Sequence, residues 1–187
     1  MLLTAALAVL SVGAGQLSLA LFTDQEAVAG TFTTGSIDLD GTAIAGLTLT
    51  TSAMMPGDSV TDDVLISNIG TAQLRYSMST SSTDADAKGL RTVLTLTVKT
   101  IDATTPGVPC DNFDGTTVLA ATVLGPGTAG FGSSAIGAQA GDRNLNAASS
   151  ETLCFRVSLP SGTGNAYQSA STTTTFTFDA EQTANNP

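Results

Sequence analysis

Alternation of apolar and polar residues dominates the chain after residue 36 and predicts β-strands. Residues 153–159 show it most clearly, because Leu153, Phe155 and Val157 form one apolar face and Pro160 follows as a strand breaker. The same period-two pattern predicts strands at 59–68, 72–80, 91–101 and 172–180, and weaker strands at 36–39, 44–51 and 116–123. No long segment has the 3.6-residue period of a helix, so we expect an all-β protein.

Turn-forming residues separate these predicted strands. Pro-Gly-Asp at 56–58, Asn-Ile-Gly at 68–70, Pro-Gly at 106–107 and Asp-Gly at 114–115 suit tight turns. Residues 125–150 are rich in Gly, Ala and Ser and predict a long surface loop with room for one short strand. About eight short strands predict a two-sheet antiparallel sandwich of the jelly-roll type, with an immunoglobulin-like sandwich as the alternative. The sequence has no Trp, so it lacks the Cys-Trp-Cys hallmark of that alternative.

The first twenty residues are predicted to be a signal peptide, followed by a single domain over residues 21–187. Residues 1–22 carry no charge, and Ser18 and Ala20 are small residues at positions −3 and −1 of a cleavage between Ala20 and Leu21. The basic region that normally precedes the apolar run is missing or truncated. A buried amino-terminal strand or helix is the alternative. Residues 13–16 interrupt the apolar run before it reaches the length of a membrane span, so we expect no stable membrane anchor.

The charge balance narrows the classes of function. The 187 residues include 16 Asp and Glu but six Lys and Arg, for a net charge of −10, which disfavours nucleic acid as a partner. The sequence contains no His, which excludes Ser-His-Asp and Cys-His nucleophile systems and HExxH zinc sites. We therefore assign no catalytic, metal or cofactor-binding residues and expect no cofactor.

Two cysteines, Cys110 and Cys154, form an even pair in a chain expected to leave the cytosol, and this predicts a disulfide. Cys154 lies between Leu153 and Phe155 and should point away from the face that these two bury. A surface cross-link between a strand and the Cys110 loop fits this pattern.

Three groups of carboxylates deserve comparison with binding sites. Asp58, Asp62 and Asp63 lie around a predicted turn and offer oxygen ligands for calcium, although a turn Asp with solvated strand positions explains them as well. Residues 111–115 have the donor types of a calcium loop but lack its bidentate Glu. Asp84 and Asp86 lie in a Ser/Thr-rich loop without the apolar walls that shift a pKa, so they do not resemble an acid–base pair.

Cleavage after Ala20 would create an amino terminus with two large apolar residues, Leu21 and Phe22. The segment continues through Val28 to Phe32. Residues at a terminus gain little from being apolar unless another surface buries them. Two readings remain open: the segment is the first edge strand of its own sandwich, or it pairs with a sheet edge of a neighbouring copy. Repetition of the second contact would build an open filament.

Three blocks of the sequence resemble the TasA/camelysin family. The first is Ala-Leu-Phe-Thr-Asp at 20–24 followed by 30–39, which is similar to the family's amino-terminal signature. The second comprises the Pro-Gly-Asp turn within 55–60 and the Asn-x-Gly turn within 66–71. The third, 167–182, is similar to the family's last strand.

This resemblance implies a jelly-roll domain that is exported after cleavage by a SipW-type signal peptidase. It also implies two different functions. TasA-like members are biofilm-matrix proteins that polymerise by donating the amino-terminal strand, here within 21–35, to another copy. Camelysin-like members are described as surface metallo-endopeptidases. Because no zinc-binding set is evident in the sequence, we expect a secreted fibre subunit of the extracellular matrix or cell surface, with the peptidase as the alternative.

Overall fold

The computed structural model of the protein describes residues 23–31, 40–41, 44–45, 53–101, 110–184 and 186. These residues form eleven strands, and two single 3₁₀ turns lie at Leu90–Thr92 and Asn165–Tyr167. The strands are β1 (Thr23–Thr31), β2 (Asp40–Gly41), β3 (Ile44–Ala45), β4 (Ser59–Asn68), β5 (Leu74–Ser82), β6 (Thr95–Thr100), β7 (Thr117–Val123), β8 (Gly130–Phe131), β9 (Arg143–Leu145), β10 (Ser149–Ser158) and β11 (Thr173–Gln182). The prediction of an all-β protein is confirmed.

The strands form two antiparallel sheets. Sheet A has the order β1-β11-β5-β8, with β9 also paired to β5, and sheet B has the order β2-β3-β4-β10-β6-β7. If β8 and β9 are counted as one position and the β2–β3 hairpin is set aside, the chain winds between the sheets as two Greek keys. This order is that of a jelly roll, so the first choice of sandwich is confirmed over the immunoglobulin-like alternative.

The core lies between the inner faces of the two sheets. Leu153, Phe155 and Val157 of β10 are fully buried, and Phe176 of β11 meets Phe155 edge to face, with ring centroids 5.8 Å apart. The alternation seen in the sequence produces this core because successive strand residues point to opposite faces. The central strands β10 and β11 therefore place their apolar rows against each other.

Several predicted strand boundaries are confirmed and others shift. Strand β4 coincides with the predicted 59–68, and β7 begins one residue after the predicted 116–123. Strands β5 and β11 extend two residues beyond the predicted carboxyl ends. The prediction of a strand from residue 91 was wrong for its first four residues, because Gly89, at φ +70°, leads into the 3₁₀ turn at Leu90–Thr92.

The predicted long loop at 125–150 contains more strand than expected. Both β8 and β9 pair with β5, and β10 begins at Ser149, within that range. Gly130 explains part of the pairing, because a Cβ there would lie 2.4 Å from the Met78 carbonyl oxygen. Strands β8 and β9 therefore pair with β5, although the sequence of this region shows no alternation of apolar and polar residues.

Several expectations lie outside the described residues. These are the signal peptide at 1–20, its cleavage between Ala20 and Leu21, and the predicted strand at 36–39. Of the predicted strand at 44–51, the described part is β3. Among the described residues we find no helix with the length and apolar character needed to cross a membrane.

The sandwich has two ends, which we name for the features described below. The turn end holds the start of β1, where Thr23 pairs with Glu181, and the turn that follows Asn68. The cavity end holds the start of β4, the end of β10 and the start of β11. Strand β1 therefore runs from the turn end to the cavity end.

Candidate functional site

Strand β1 lies at one edge of sheet A and pairs along its whole length with β11. The ladder is regular from Thr23 opposite Glu181 to Thr31 opposite Thr173, and Val28 pairs with the buried Phe176. Within the described part of the chain, no other strand pairs with β1. In the single chain, β1 is thus the first edge strand of its own sandwich. Leu21, Phe22 and Phe32, which we also assigned to strand donation, lie outside the described residues.

The disulfide between Cys110 and Cys154 is present, with a Cα–Cα distance of 5.5 Å. Cys154 points away from the core face of β10, as predicted, but the expectation of a surface cross-link was wrong because Cys154 is fully buried. The loop that carries Cys110 covers it. Phe113 of that loop is buried, and its ring lies 3.9 Å from Cζ of Arg156. The Nζ of Lys99 donates a hydrogen bond to the Phe113 carbonyl oxygen at 2.9 Å.

The three aspartates proposed as a calcium site do not converge. Asp58 accepts a hydrogen bond from the Met55 backbone N–H at 2.7 Å and so closes its own turn. Asp62 and Asp63 are successive strand residues and point to opposite faces of β4. Partial burial, followed by the nearby Asp62 charge, raises the pKa of Asp63. Among the described residues, no three His, Cys, Asp or Glu side chains form a group able to hold a metal ion.

Asp84 and Asp86 brace a loop at the cavity end. Asp84 accepts a hydrogen bond from the Gly89 N–H at 2.8 Å, and Asp86 accepts one from the Ser171 N–H at 2.6 Å. Hydrogen bonds from the backbone of Lys88 and then Ser171 lower the pKa of Asp86. These carboxylates therefore hold the backbone of the loop in position.

A cavity of about 350 Å³, lined by apolar residues and by uncharged polar residues such as Asn165 and Gln168, opens at the cavity end. Its floor includes Leu94 and Leu159, which belong to the core, and its walls include Met54 and Tyr167. None of the residues that line it carries a charge. The Nζ of Lys88 holds the rim by donating hydrogen bonds to the Gln168 and Ser169 carbonyl oxygens at 2.8 and 3.2 Å.

The turn end carries an exposed isoleucine on a braced turn. Ile69 is 73% exposed, whereas its neighbour Asn68 is buried. The Nδ2 of Asn68 donates to the carbonyl oxygens of Ala72, Leu145 and Asn146, each within 3.0 Å, and its Oδ1 accepts from the Gly70 N–H. The turn is therefore held in place while the side chain of Ile69 faces solvent.

Two partly buried polar clusters also lie toward the turn end. Arg75 donates from Nε to Glu181 Oε1 at 2.5 Å and from Nη2 to the Asn186 carbonyl oxygen. Tyr76 donates its hydroxyl to Glu151, which also pairs with Arg143 at 2.5 Å. Burial, followed by the hydrogen bond to Glu151, raises the pKa of Tyr76 well above its usual range. The second cluster ties sheet A to sheet B.

The amino-terminal part of the chain matches a known protein family. A family model described as camelysin metallo-endopeptidase matches residues 1–92. Residues 1–92 therefore match the camelysin family. The TasA/camelysin resemblance is thereby confirmed for the part that includes β1, β4 and β5. No curated protein and no solved structure matches the chain.

The name of the family raises the question of a catalytic metal. The described residues do not fit one, because no three of their His, Cys, Asp or Glu side chains form a group able to hold a metal ion. Zinc in catalytic sites takes three protein ligands, most often His with a carboxylate or Cys. We therefore derive no catalytic step for this chain.

The sequence predicted the disulfide and most strands. It did not predict the cavity or the exposed turn after Asn68 as candidate binding surfaces. The signal for the turn was present, because Asn-x-Gly encloses a large apolar residue at its tip. The cavity gave no local signal, since its walls come from four separate segments of the chain.

Proposed function

We propose that this chain is a secreted structural protein that assembles into fibres at the cell surface or in the extracellular matrix, with β1 exchanged between copies. The observation that carries the proposal is the position of β1. It is the first described strand, it lies at a sheet edge, and within the described residues it pairs with β11 alone.

Strand exchange conserves the interactions that a single copy already makes. If β1 of one copy paired with β11 of the next, all nine residue pairs of the ladder would form again between chains. Such a swap needs no new surface, and a head-to-tail exchange that does not close yields a filament. Family membership supports the export and self-assembly that the resemblance implies, and we expect other copies of the chain and a SipW-type signal peptidase as partners.

A paired-cysteine variant tests the exchange. Ala27 and Thr177 are directly opposite each other in the ladder, so the double variant Ala27→Cys/Thr177→Cys can form a disulfide across β1 and β11. We expect a cross-link within one chain when the monomer is oxidised and a ladder of cross-linked multimers when fibres are oxidised. Non-reducing gel electrophoresis of both samples distinguishes these products.

The same variant supplies its own control. Monomers oxidised before assembly hold β1 in their own sandwich and should form no exchanged fibres until a reductant is added. Each single-cysteine variant should form fibres like the parent chain. Fibres that contain only cross-links within chains would disprove strand exchange.

The family name favours a second function, a metal-dependent endopeptidase. The test is cleavage of a protein substrate such as casein by the purified chain, with and without a chelator. Chelator-sensitive cleavage by the parent chain that survives in the oxidised double variant would support a peptidase independent of assembly.

A further inference from the structure

Strand β1 ends beside one wall of the cavity. Its last residue, Thr31, pairs with Thr173, the first residue of β11. The residues just before β11, from Tyr167 to Ala170, form that wall of the cavity. The carboxyl end of β1 therefore lies within a few residues of the cavity of whichever copy supplies β11.

The register of the ladder indicates which residue after β1 would face the cavity. Alternate residues along β11 face the core, and Phe176, Thr174 and, just before the strand, Thr172 are all buried. The partners of Phe176 and Thr174 in β1 are the residues at positions 28 and 30. Continued by one residue past the end of β1, the same register would place Phe32 opposite Thr172, in the core-facing row.

The size and lining of the cavity suit one aromatic side chain. A cavity of about 150 Å³ can already accept a benzene ring, and this one measures about 350 Å³. Leu94 and Leu159 form an apolar floor, and Tyr167 offers an aromatic ring for packing. Outside the described residues the aromatic side chains are Phe22 and Phe32, and Phe22 precedes β1 at the turn end.

The charge pattern of the segment also matches the cavity. No residue that lines the cavity is charged, although aspartates lie close to its rim. Residues 27–37 carry no charge either, so these aspartates do not repel the segment. Threonines flank Phe32 on both sides, and the cavity likewise combines its apolar floor with the uncharged polar residues Asn165 and Gln168.

The rest of β1 specifies its register only weakly. Val28 is the one large apolar residue among the nine of the strand. A strand without a clear apolar row is prone to slip along its partner. A slip by two residues keeps the same face toward the core but would move Phe32 by about 7 Å. A ring held in the cavity would therefore select one register.

We propose that the cavity holds the side chain of Phe32 and so fixes the register in which β1 pairs with β11. In a single copy the ring comes from the same chain. For the exchanged state alone the inference rests on the proposed function, because the cavity of one copy then holds Phe32 of the copy that donates β1. The ladder of β1 supplies the rest of the contact.

A tryptophan reporter tests where position 32 lies. The chain has no Trp, so Phe32→Trp adds a single indole whose fluorescence reports its surroundings. Thr33→Trp is the matched control, because successive strand residues point to opposite faces. We expect Phe32→Trp to emit at shorter wavelength than Thr33→Trp and to be better protected from acrylamide quenching. Equal emission and quenching of the two folded variants would overturn the inference.

A ring added to the cavity wall links the reporter to the cavity. A Cβ at Gly164 or at Gly162 meets no atom within 4 Å, but of the two only Gly164 lines the cavity. In the Phe32→Trp chain we expect Gly164→Phe to shift the emission to longer wavelength and to restore quenching. Gly162→Phe should leave both unchanged. A reporter that stays protected beside Gly164→Phe would place position 32 elsewhere.

Cysteine cross-linking tests the register and needs no variant of the cavity wall. Ala27 lies opposite Thr177, whereas Ala29 would lie opposite Thr177 only after a slip by two residues. We expect Ala27→Cys/Thr177→Cys to cross-link and Ala29→Cys/Thr177→Cys to stay largely reduced. Adding Phe32→Ala should raise the yield of the second cross-link severalfold, and Thr33→Ala should not. A yield that Phe32→Ala leaves unchanged contradicts the inference.

Two outcomes separate this inference from the proposed function. The reporter can be measured in monomers locked by the oxidised Ala27→Cys/Thr177→Cys pair, so it needs no fibres. A protected reporter there, without exchanged fibres from the unlocked chain, would support the cavity site and remove strand exchange. Exchanged fibres in which Phe32→Trp is as exposed as Thr33→Trp would do the reverse.

Discussion

Asn68 shows how much one side chain can organise in this fold. It is buried, and its side-chain amide donates to three carbonyl oxygens. One belongs to Ala72, beside its own turn, and the others belong to Leu145 and Asn146, which are 77 and 78 residues further along the chain. Buried carbonyl groups that lose their donors retain the cost of leaving water. The residue therefore joins the turn after β4 to the chain between β9 and β10.

We expect Asn68→Ala to lower the free energy of unfolding by about 2–4 kcal/mol, because several hydrogen bonds of about 1 kcal/mol each are lost in a buried place. Urea denaturation followed by circular dichroism measures the change. Asn165→Ala is the control, since Asn165 is exposed, and it should change stability by less than about 0.5 kcal/mol. An equal effect of both changes would contradict the role given to Asn68.

Glu181 should make the fold sensitive to acid. Its burial acts to raise its pKa, but hydrogen bonds from Arg75 and Asn186 outweigh this, so the pKa of Glu181 lies below its ordinary value of 4.5. The ionised form therefore stabilises the folded state at neutral pH. This contribution disappears as the pH falls from about 4.5 through the lowered folded value.

We expect Glu181→Gln to be less stable than the parent at pH 7 and to lose less stability on acidification below about pH 4.5. Urea midpoints across that range measure both effects. Asp63→Asn is the comparison with the opposite sign, because the raised pKa of Asp63 means that its ionisation opposes folding. A Glu181→Gln variant as acid-sensitive as the parent would show that this carboxylate does not contribute.

At the scale of elements, the loop at 110–115 covers part of the outer face of sheet B and is fixed to it. The disulfide ties it to β10, and Phe113 packs between Lys99 and Arg156. Gly115 allows the loop to return close to β6, because a Cβ there would lie 2.1 Å from the Thr100 carbonyl oxygen. Cys154 is therefore shielded from solvent, although it lies on the face of β10 that points away from the core.

Removal of the disulfide should cost up to about 4 kcal/mol on the chain-entropy model, since it closes a separation of 44 residues. Cys110→Ala/Cys154→Ala, measured by urea denaturation, gives the value. The parent in a reductant should approach the double variant, while the double variant itself should not respond to the reductant. No difference between oxidised parent and double variant would contradict this expectation.

The elements were predictable to different degrees for physical reasons. Strand β4 was predicted residue for residue, because Val60, Val64 and Ile66 fall on one face of a half-buried strand. Strands β8 and β9 are two and three residues long, too short for a period to show in the sequence. Cys154 was placed on the correct face, but its burial depends on a loop whose path no local pattern encodes.

The candidate interaction surfaces, strand β1 and the cavity, were also predictable to different degrees. The apolar residues of the segment that contains β1 made it recognisable in the sequence as a candidate for pairing. Its partner β11 became known only from the structure, in which Val28 lies opposite Phe176. The cavity requires Met54, Leu94 and Tyr167 to meet, and these come from parts of the chain that only the complete fold brings together.

At the scale of the whole molecule, charge should control assembly. Copies with a net charge of −10 repel each other over about 10 Å at 0.1 M salt, and this repulsion is screened as salt rises. We expect the protein concentration needed for assembly to fall when NaCl increases from about 20 to about 500 mM, because the Debye length shortens and the repulsion between copies weakens. Light scattering across a concentration series measures it, and assembly weakened by salt would indicate attraction between charged surfaces instead.

The pairing of the first described strand with the last has a consequence for the order of events during synthesis. The partner of β1 in its own chain, β11, is made about 140 residues later, so we expect this pairing, which has the greatest sequence separation among the described strand pairs, to form late. A newly made β1 must wait for its own carboxyl-terminal segment, while the last copy of an exchanged fibre would already present a β11 that lacks its β1. Crowding at the place of synthesis or release would then decide whether a chain completes itself or joins its neighbour.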